Sequence, residues 1–340
     1  MTQNANFTFE DVAIVSVEAC EAPIVVSSAS IDEQLAPLYE RGAGKPGLLD
    51  SLAGIHERRQ WPEGMTFTDA AALAGEKAIK ASGIDRSRIG LLIDTSVCRA
   101  RLEPSSAVTV HNQLGLAPTC LNFDLVNACL GFVNAIHVAG VMIEAGQIEY
   151  ALIVDGEGTN ELYENTISNL LEHGETLADI LDNFATLTLG SGSAGMVLGR
   201  HSSNVGSHRV VRGFFRAATE HHELCVGSLE GMTTDTKALL DAGTELAKRA
   251  WDDAGADASW GGHDRYILHQ VSQVHTNAMI DTLGLDSDRV PRSFPHYGNI
   301  GPAAIPITLA AEAASLSTDD SVLCLGIGSG LNAAALEIRW

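Results

Sequence analysis

The sequence predicts an α/β fold whose sheets are covered by helices on both faces. Short β-rich runs alternate with longer helical patterns along its 340 residues, the signature of strands joined by crossover helices. Hydrophobic residues make up 45%, enough for a sizeable core. Two pairs of segments echo one another in the same order, which points to an internal duplication.

The elements follow in chain order. "VAIVSVEA" reads as a strand, followed by a helix near 69–83, the strand "IGLLIDTS" and another helix. "LNFDLV" is a further strand and "NACLG" a tight turn. "FVNAIHVAGVMIEAG" is then a helix of small and apolar residues ending at Gly146, with "YALIVDGE" as the next strand. The first echo pairs 69–98, a helix, a Gly-Ile-Asp turn and a strand, with 237–272, a helix, a Gly-Ala-Asp turn and a strand. The second pairs "LTLGSGSAGMVLGR" (187–200) with "LCLGIGSGLNAAALEIRW" (323–340), both expected to be Gly-rich hairpins. The polar stretch "HSSNVGSHR" (201–209) has the composition of a connector. The halves are therefore taken as 1–205, carrying the candidate nucleophile, and 206–340, carrying its partners.

Forty-three acidic side chains against 21 basic give a formal charge of −22, which disfavours nucleic acid and anionic membrane as partners. The amino-terminal "MTQNANFTFE" lacks an apolar secretory core, and no apolar run is long enough to span a bilayer. The six cysteines are scattered without C-x-x-C spacing, as expected of free thiols in a reducing compartment. A soluble cytoplasmic protein is expected, without metal or redox cofactor. "GSGSAG" (190–195) matches a dinucleotide fingerprint, but "MVLGR" after it reads as a strand where that site needs a helix. His269 and His275 lack the companions of a zinc site.

Cys129 stands where "NACLG" meets the apolar helix. A thiol at a helix N-terminus faces unpaired N–H groups that favour thiolate and can hold a negative oxygen, a placement suited to acyl transfer from a thioester. "YILHQVSQVH" puts His269 at the C-terminal end of a strand, and "FPHYGNIGPAAIPITLA" puts Asn299 in a Gly-rich turn before another helix. "LGIGSGLN" offers a glycine hairpin whose N–H groups, around Ser329, complete an oxyanion hole with that of Cys129.

"NACLG", "HQVSQVH", "GNIGPAAIP" and "GIGSG", in this order, resemble the thiolase superfamily and within it the ketoacyl synthase III branch. The resemblance covers nearly the whole chain, "GIHERRQW" included. It implies a duplicated five-layered αβαβα sandwich, a dimer, and a Cys-His-Asn site made of Cys129, His269 and Asn299. Glu103, in "LEP" and 26 positions ahead of Cys129, adds a distinction. OleA-type enzymes, which join two fatty acyl-CoAs head to head, carry a glutamate in a similar setting, where it reaches the neighbouring protomer's site. A plain acyl-CoA has no carboxylate to lose, so its α-carbon must give up a proton to a general base.

The resemblance thus implies acylation of Cys129, α-deprotonation of a second acyl-CoA by Glu103 of the partner, and attack of the carbanion on the thioester. His269 and Asn299 polarise the second carbonyl. The product is a β-ketoacyl thioester, which OleA-type enzymes hydrolyse to a β-keto acid for downstream lipid-pathway enzymes. Arg58, Arg59 and Trp61 are candidates for a patch that receives the CoA nucleotide, by guanidinium on phosphate and indole on adenine; ordinary surface salt bridging is the alternative. The amphipathic segment 160–186 is an acyl-pocket wall, a dimer-facing lid or a surface helix pair. Two other functions stay open. One is a decarboxylating synthase using malonyl-carrier protein, with Glu103 incidental; the other is a non-catalytic subunit lending Glu103 to a second chain.

Overall fold

The computed structural model describes residues 6–228, 231–254 and 260–340. Its strands are β1 (Asn6–Thr8), β2 (Val12–Glu21), β3 (Ile24–Ser27), β4 (Glu57–Gln60), β5 (Ile89–Asp94), β6 (Leu121–Asp124), β7 (Tyr150–Glu157), β8 (Gly192–Arg200), β9 (His208–Ala217), β10 (Cys225–Gly227), β11 (Met232–Thr234), β12 (Arg265–Leu268), β13 (Ser321–Gly328) and β14 (Asn332–Arg339). Nine of them run in the order β12-β13-β14-β9-β2-β8-β7-β5-β6, with β1 beside β9. From β2 outward through β8, β7 and β5, successive pairings are antiparallel, antiparallel and parallel. From β9 outward through β14, β13 and β12 the same series recurs. The two series meet through just two residue pairs, Ala13 with Arg209 and Ile14 with His208.

Apolar burial sorts the molecule into five layers. Helices Phe67–Ser82 and Ser106–Gln113 cover one face of the β5, β7 and β8 strands through Ala71, Ala78, Ile79, Val110 and Leu114. Helices Gly131–Glu144 and Ala304–Glu312 lie in the middle, in a cluster that takes Ile93 and Met196 from one series and Ile267, Val322 and Leu336 from the other. Helices Thr236–Ala254 and Gln273–Leu283 close the far side over Phe214, Leu268 and Leu323. The Gly131–Glu144 helix has few polar residues because it meets apolar surface on two sides, the reason its sequence is nearly uncharged.

Local chemistry sets the element ends. Thr66 and Asp69 form a capping box at the start of helix Phe67–Ser82, and Gly83 ends it in the left-handed region at φ 66°. The "GSGSAG" segment is not a hairpin. Phe184–Leu187 is a short helix, and the chain passes through Gly190 and Ser191 directly into β8. A Cβ on Gly190 would lie 1.9 Å from the Tyr297 carbonyl oxygen, so this glycine serves a close backbone approach rather than a turn. The second echo, β13 and β14, is a true antiparallel hairpin. The expected Gly-Ala-Asp turn at 255–257 lies outside the described residues. Segment 160–186 packs Tyr163, Ile167, Leu170 and Ile180 against helix Ser28–Glu40 in a separate apolar cluster.

Candidate active site

The loop carrying Cys129, the candidate nucleophile, is built by a backbone crossing. Beyond β6, Leu125 N–H donates to the Asp94 carbonyl at 2.9 Å, drawing the chain over the end of β5. Ala128 then adopts φ 44°, a left-handed conformation that costs a residue with a Cβ about 1–2 kcal/mol. Leu130 and Gly131 donate back to the Asn127 and Ala128 carbonyls at 3.0 and 3.2 Å, so the turn consumes two N–H groups before the helix begins at Gly131. Gly131 permits the approach, since a Cβ there would meet the Leu125 and Thr95 carbonyl oxygens at 3.1 Å.

Cys129 is half-buried at this turn. Its thiol is pushed up to about 12, chiefly by burial, with further contributions from the Cys225 thiol and the Glu157 carboxylate. This corrects the expectation that the helix end lowers it. Cys129 precedes the helix rather than opening it, and desolvation next to acidic groups outweighs the favourable backbone N–H. The resting Cys129 side chain is a neutral thiol.

His269 directly follows β12, its N–H bound to the Leu325 carbonyl at 2.8 Å. The ring is buried and, among the described residues, both ring nitrogens lack partners. Burial and the adjacent His275 push it down to about 3, so it is a neutral imidazole with one N–H to give and one lone pair to receive with. Asn299 sits between two backbone bonds, its N–H on the Thr188 carbonyl and its carbonyl on Gly190 N–H, each at 2.9 Å. Gly301 N–H donates to Asn299 Oδ1 at 3.0 Å, which leaves the side-chain NH₂ as the free donor. The β13 glycines join these parts. A Cβ on Gly326 would stand 2.6 Å from Leu130 Cδ2 and 3.7 Å from His269 Cβ, and one on Gly328 would stand 3.5 Å from Cys129 N. Ser329 follows in the turn between β13 and β14, half-buried. Cys129, His269 and the Ser329 turn thus converge across β13.

Glu103 is exposed, in the loop between β5 and helix Ser106–Gln113, and among the described residues no hydrogen bond or ion pair ties it to Cys129, His269 or Asn299 of its own chain. Arg58 and Trp61 are not a surface patch for a nucleotide. Pairing of β4 with β3 turns Arg58 inward, 1% exposed, where Nη2 reaches Ser28 Oγ at 3.3 Å while Nε and Nη1 have no partner among the described residues. Trp61 is buried with Nε1 donating to the Glu157 carbonyl at 2.9 Å. Arg59 alone keeps some exposure, paired with Glu57 at 3.1 Å and 5.8 Å from the Tyr297 ring centre.

Two neighbours of the thiol escaped the sequence reading. Glu157 ends β7, 4% exposed, and burial pushes it up to about 7; Asp155, on the same strand, is raised in the same way. Glu157 accepts the Val97 and Cys98 N–H groups at 2.7 and 3.3 Å. The available signal was an acidic pair closing an otherwise apolar strand. Cys225, on β10, has no comparable signal. Among the described residues no group of three His, Cys, Asp or Glu side chains is placed to hold a metal ion.

The family described as 3-oxoacyl-[acyl-carrier-protein] synthase III matches residues 123–212, and its C-terminal counterpart matches 256–340. An acyl-CoA:acyl-CoA alkyltransferase of Xanthomonas campestris is 40% identical over 336 residues, covering 98% of this chain and 99% of the other. One of the same name from Shewanella oneidensis is 35% identical over 335 residues, covering 94% and 96%. Solved structures of Xanthomonas campestris OleA superpose with a TM-score of 0.95 at 40% identity, over 98% of this chain and 99% of that one. They include variants at a histidine, a glutamate and a cysteine, the cysteine-to-serine form with lauric acid and lauroyl-CoA bound, and a cerulenin complex. The varied glutamate precedes the varied cysteine by the same number of positions as Glu103 precedes Cys129. The thiolase-like fold, the two family matches and the full-length identity agree, and the chain belongs to the OleA-type acyl-CoA:acyl-CoA alkyltransferases of the ketoacyl synthase III branch.

Proposed function

We propose that this protein condenses two fatty acyl-CoAs head to head, without decarboxylation, through an acyl-Cys129 intermediate. The observation that carries this reading is the pairing of a buried neutral His269 with a carboxylate, Glu103, at the relatives' spacing from the nucleophile. A site for decarboxylation has no use for that second base.

In the first half-reaction the Cys129 thiol gives its proton to the neutral imidazole of His269 as sulfur adds to the thioester carbon, and coenzyme A leaves as its thiol. A thiol held near 12 needs such a proton acceptor, and a histidine held near 3 releases the proton again at once. The oxyanion faces the N–H groups of Cys129 and Ser329. In the second half-reaction the incoming thioester oxygen takes hydrogen bonds from His269 and from the Asn299 NH₂. Glu103 of the partner removes an α-proton, the carbanion attacks acyl-Cys129 to form the C–C bond, the C–S bond breaks to expel the thiolate, and the proton held by Glu103 returns through the site to restore the thiol and the carboxylate.

A homodimer supports this use of Glu103. β6 is the last strand of the sheet and its edge is unpaired among the described residues. Around it Leu121, Val126, Val97, Val108 and Leu102, the last 91% exposed, leave an apolar surface beside the Glu103 loop. The repeated strand series supports duplicated halves 1–205 and 206–340. Six free cysteines accord with a cytoplasmic site of action.

The test is Glu103→Ala. The variant should still acquire the acyl-Cys129 mass from acyl-CoA yet form no condensed product, and condensation at the normal rate removes Glu103 as the base. Offering malonyl-carrier protein alongside acyl-CoA separates the decarboxylating reading, which requires the malonyl substrate to be consumed.

A further inference from the structure

We infer that Glu157 is a positioning residue for the condensation step, fixing the root of the loop that carries Glu103 while it borders both Cys129 and the Asn299 turn. The inference rests on the assignment of Glu103 as the base. Its geometry is that of a clamp. Glu157 Oε1 and Oε2 accept the consecutive N–H groups of Val97 and Cys98, at 2.7 and 3.3 Å. A Cβ on Gly301, two residues beyond Asn299, would stand 3.7 Å from Glu157 Oε1. The far end of the same loop is held by a second carboxylate. Asp124 accepts the Ser106 and Ala107 N–H groups at 2.9 and 2.8 Å and pairs with Arg99 at 3.3 Å. Residues 99–105, Glu103 among them, are therefore strung between two carboxylates, the buried Glu157 and the half-buried Asp124, of which Glu157 also acts on the Cys129 thiol.

Two carboxylate oxygens accepting two N–H groups is an arrangement for the ionised form, because a proton on either oxygen competes with one of those donors. The charged and titratable groups facing Glu157 are Asp155 on its own strand, Asp94 on β5, Cys98 in the loop and Cys129 across the site. None is a cation, so ionisation is opposed, and burial holds the carboxyl poised near neutrality. The clamp tightens as pH rises through that range. The same charge disfavours a thiolate at Cys129, so it acts on the first half-reaction in the opposite sense.

The experiment compares Glu157→Gln, Asp124→Asn and Glu103→Ala with the unaltered enzyme. Acyl-Cys129 is read by intact mass, condensed product by chromatography, and thiol reactivity by the pH profile of Cys129 alkylation with iodoacetamide. Glu157→Gln should keep acylation, lower condensation roughly 10- to 100-fold, and move the alkylation midpoint down by about 1 pH unit. Asp124→Asn should lower condensation and leave the midpoint in place. An unchanged ratio of condensation to acylation in Glu157→Gln, an unchanged midpoint, or loss of acylation itself would overturn the inference. In the unaltered enzyme, protection of the Val97 and Cys98 amides from hydrogen exchange should rise with pH between about 6 and 8; pH-independent protection overturns it without any variant. Normal condensation by Glu103→Ala would instead mark failure of the base assignment.

Discussion

Replacing Gly326 with alanine tests whether β13 truly gauges the distance between nucleophile and histidine. The added methyl would sit 2.6 Å from Leu130 Cδ2, 3.3 Å from Ile305 Cδ1 and 3.7 Å from His269 Cβ. Carbon atoms pack at about 3.5–4.0 Å, so Leu130 must retreat by roughly 1 Å. It has nowhere to go, being fully buried in the middle layer. Overpacking of this kind costs about 1–3 kcal/mol, and the lower backbone entropy of alanine returns about 0.5–1 kcal/mol. The net loss of about 1–2 kcal/mol corresponds to a melting point lower by roughly 2–8 °C. Leu130 is bonded to Cys129, so its displacement carries to the sulfur, where about 1 Å of misplacement is worth roughly 100-fold in rate. The assay pairs calorimetry with the rate of acyl-Cys129 formation. Gly243→Ala is the control: its methyl meets only Ile327, at 3.6 Å, inside helix Thr236–Ala254, and should stabilise. A Gly326→Ala protein with unchanged melting point and acylation within twofold of normal would refute the reasoning.

Other outcomes follow from the same geometry. His269→Ala should cut condensation by about 10²–10³-fold, read under single turnover, because it removes a preorganised donor from the enolate. Arg58→Met should leave the melting point level or raised, since the fold buries a guanidinium with two nitrogens unpartnered among the described residues, and burial outweighs the pull of Tyr163 and Asp32. Glu157 is raised from 4.5 to about 7 in the fold, so between those values the native protein holds a proton that the open chain has released. Raising pH across that window costs stability, and calorimetry of Glu157→Gln should show a shallower decline there than the unaltered protein.

The sequence made Cys129, His269 and Asn299 legible because each sits where a strand or turn breaks off, Cys129 and Asn299 beside glycine and His269 at the end of an apolar run, and such punctuation survives without tertiary information. The alternation of strands and helices was read for the same reason, and β7 was delimited to the residue. Glu157 was not read as part of the site, because its partners Val97 and Cys98 come from another strand's loop and nothing in "YALIVDGE" names them. Arg58 and Trp61 were misplaced because a four-residue strand does not declare which of its two faces is the inner one. "ATLTL" has the β-branched texture of a strand, yet packing of Phe184 and Leu187 beneath helix Asn160–His173 winds it into a helical turn. The thiol's acidity was misjudged for a related reason. Helix ends can be read locally, whereas burial and the charges of Glu157 and Asp155 on β7 cannot.

The helices behind Cys129 and Asn299 have sheet on either side, and this bears on how substrates of different length are handled. Neither can tilt outward to enlarge a pocket without unseating strands of both series at once, so the reacting atoms are insulated from whatever the fatty tail demands. Peripheral pieces that pack on one side only, such as the helices carrying Tyr163 and Ile180, are freer to shift. Relatives with different tail preferences should therefore diverge at that rim while keeping the interior geometry superimposable.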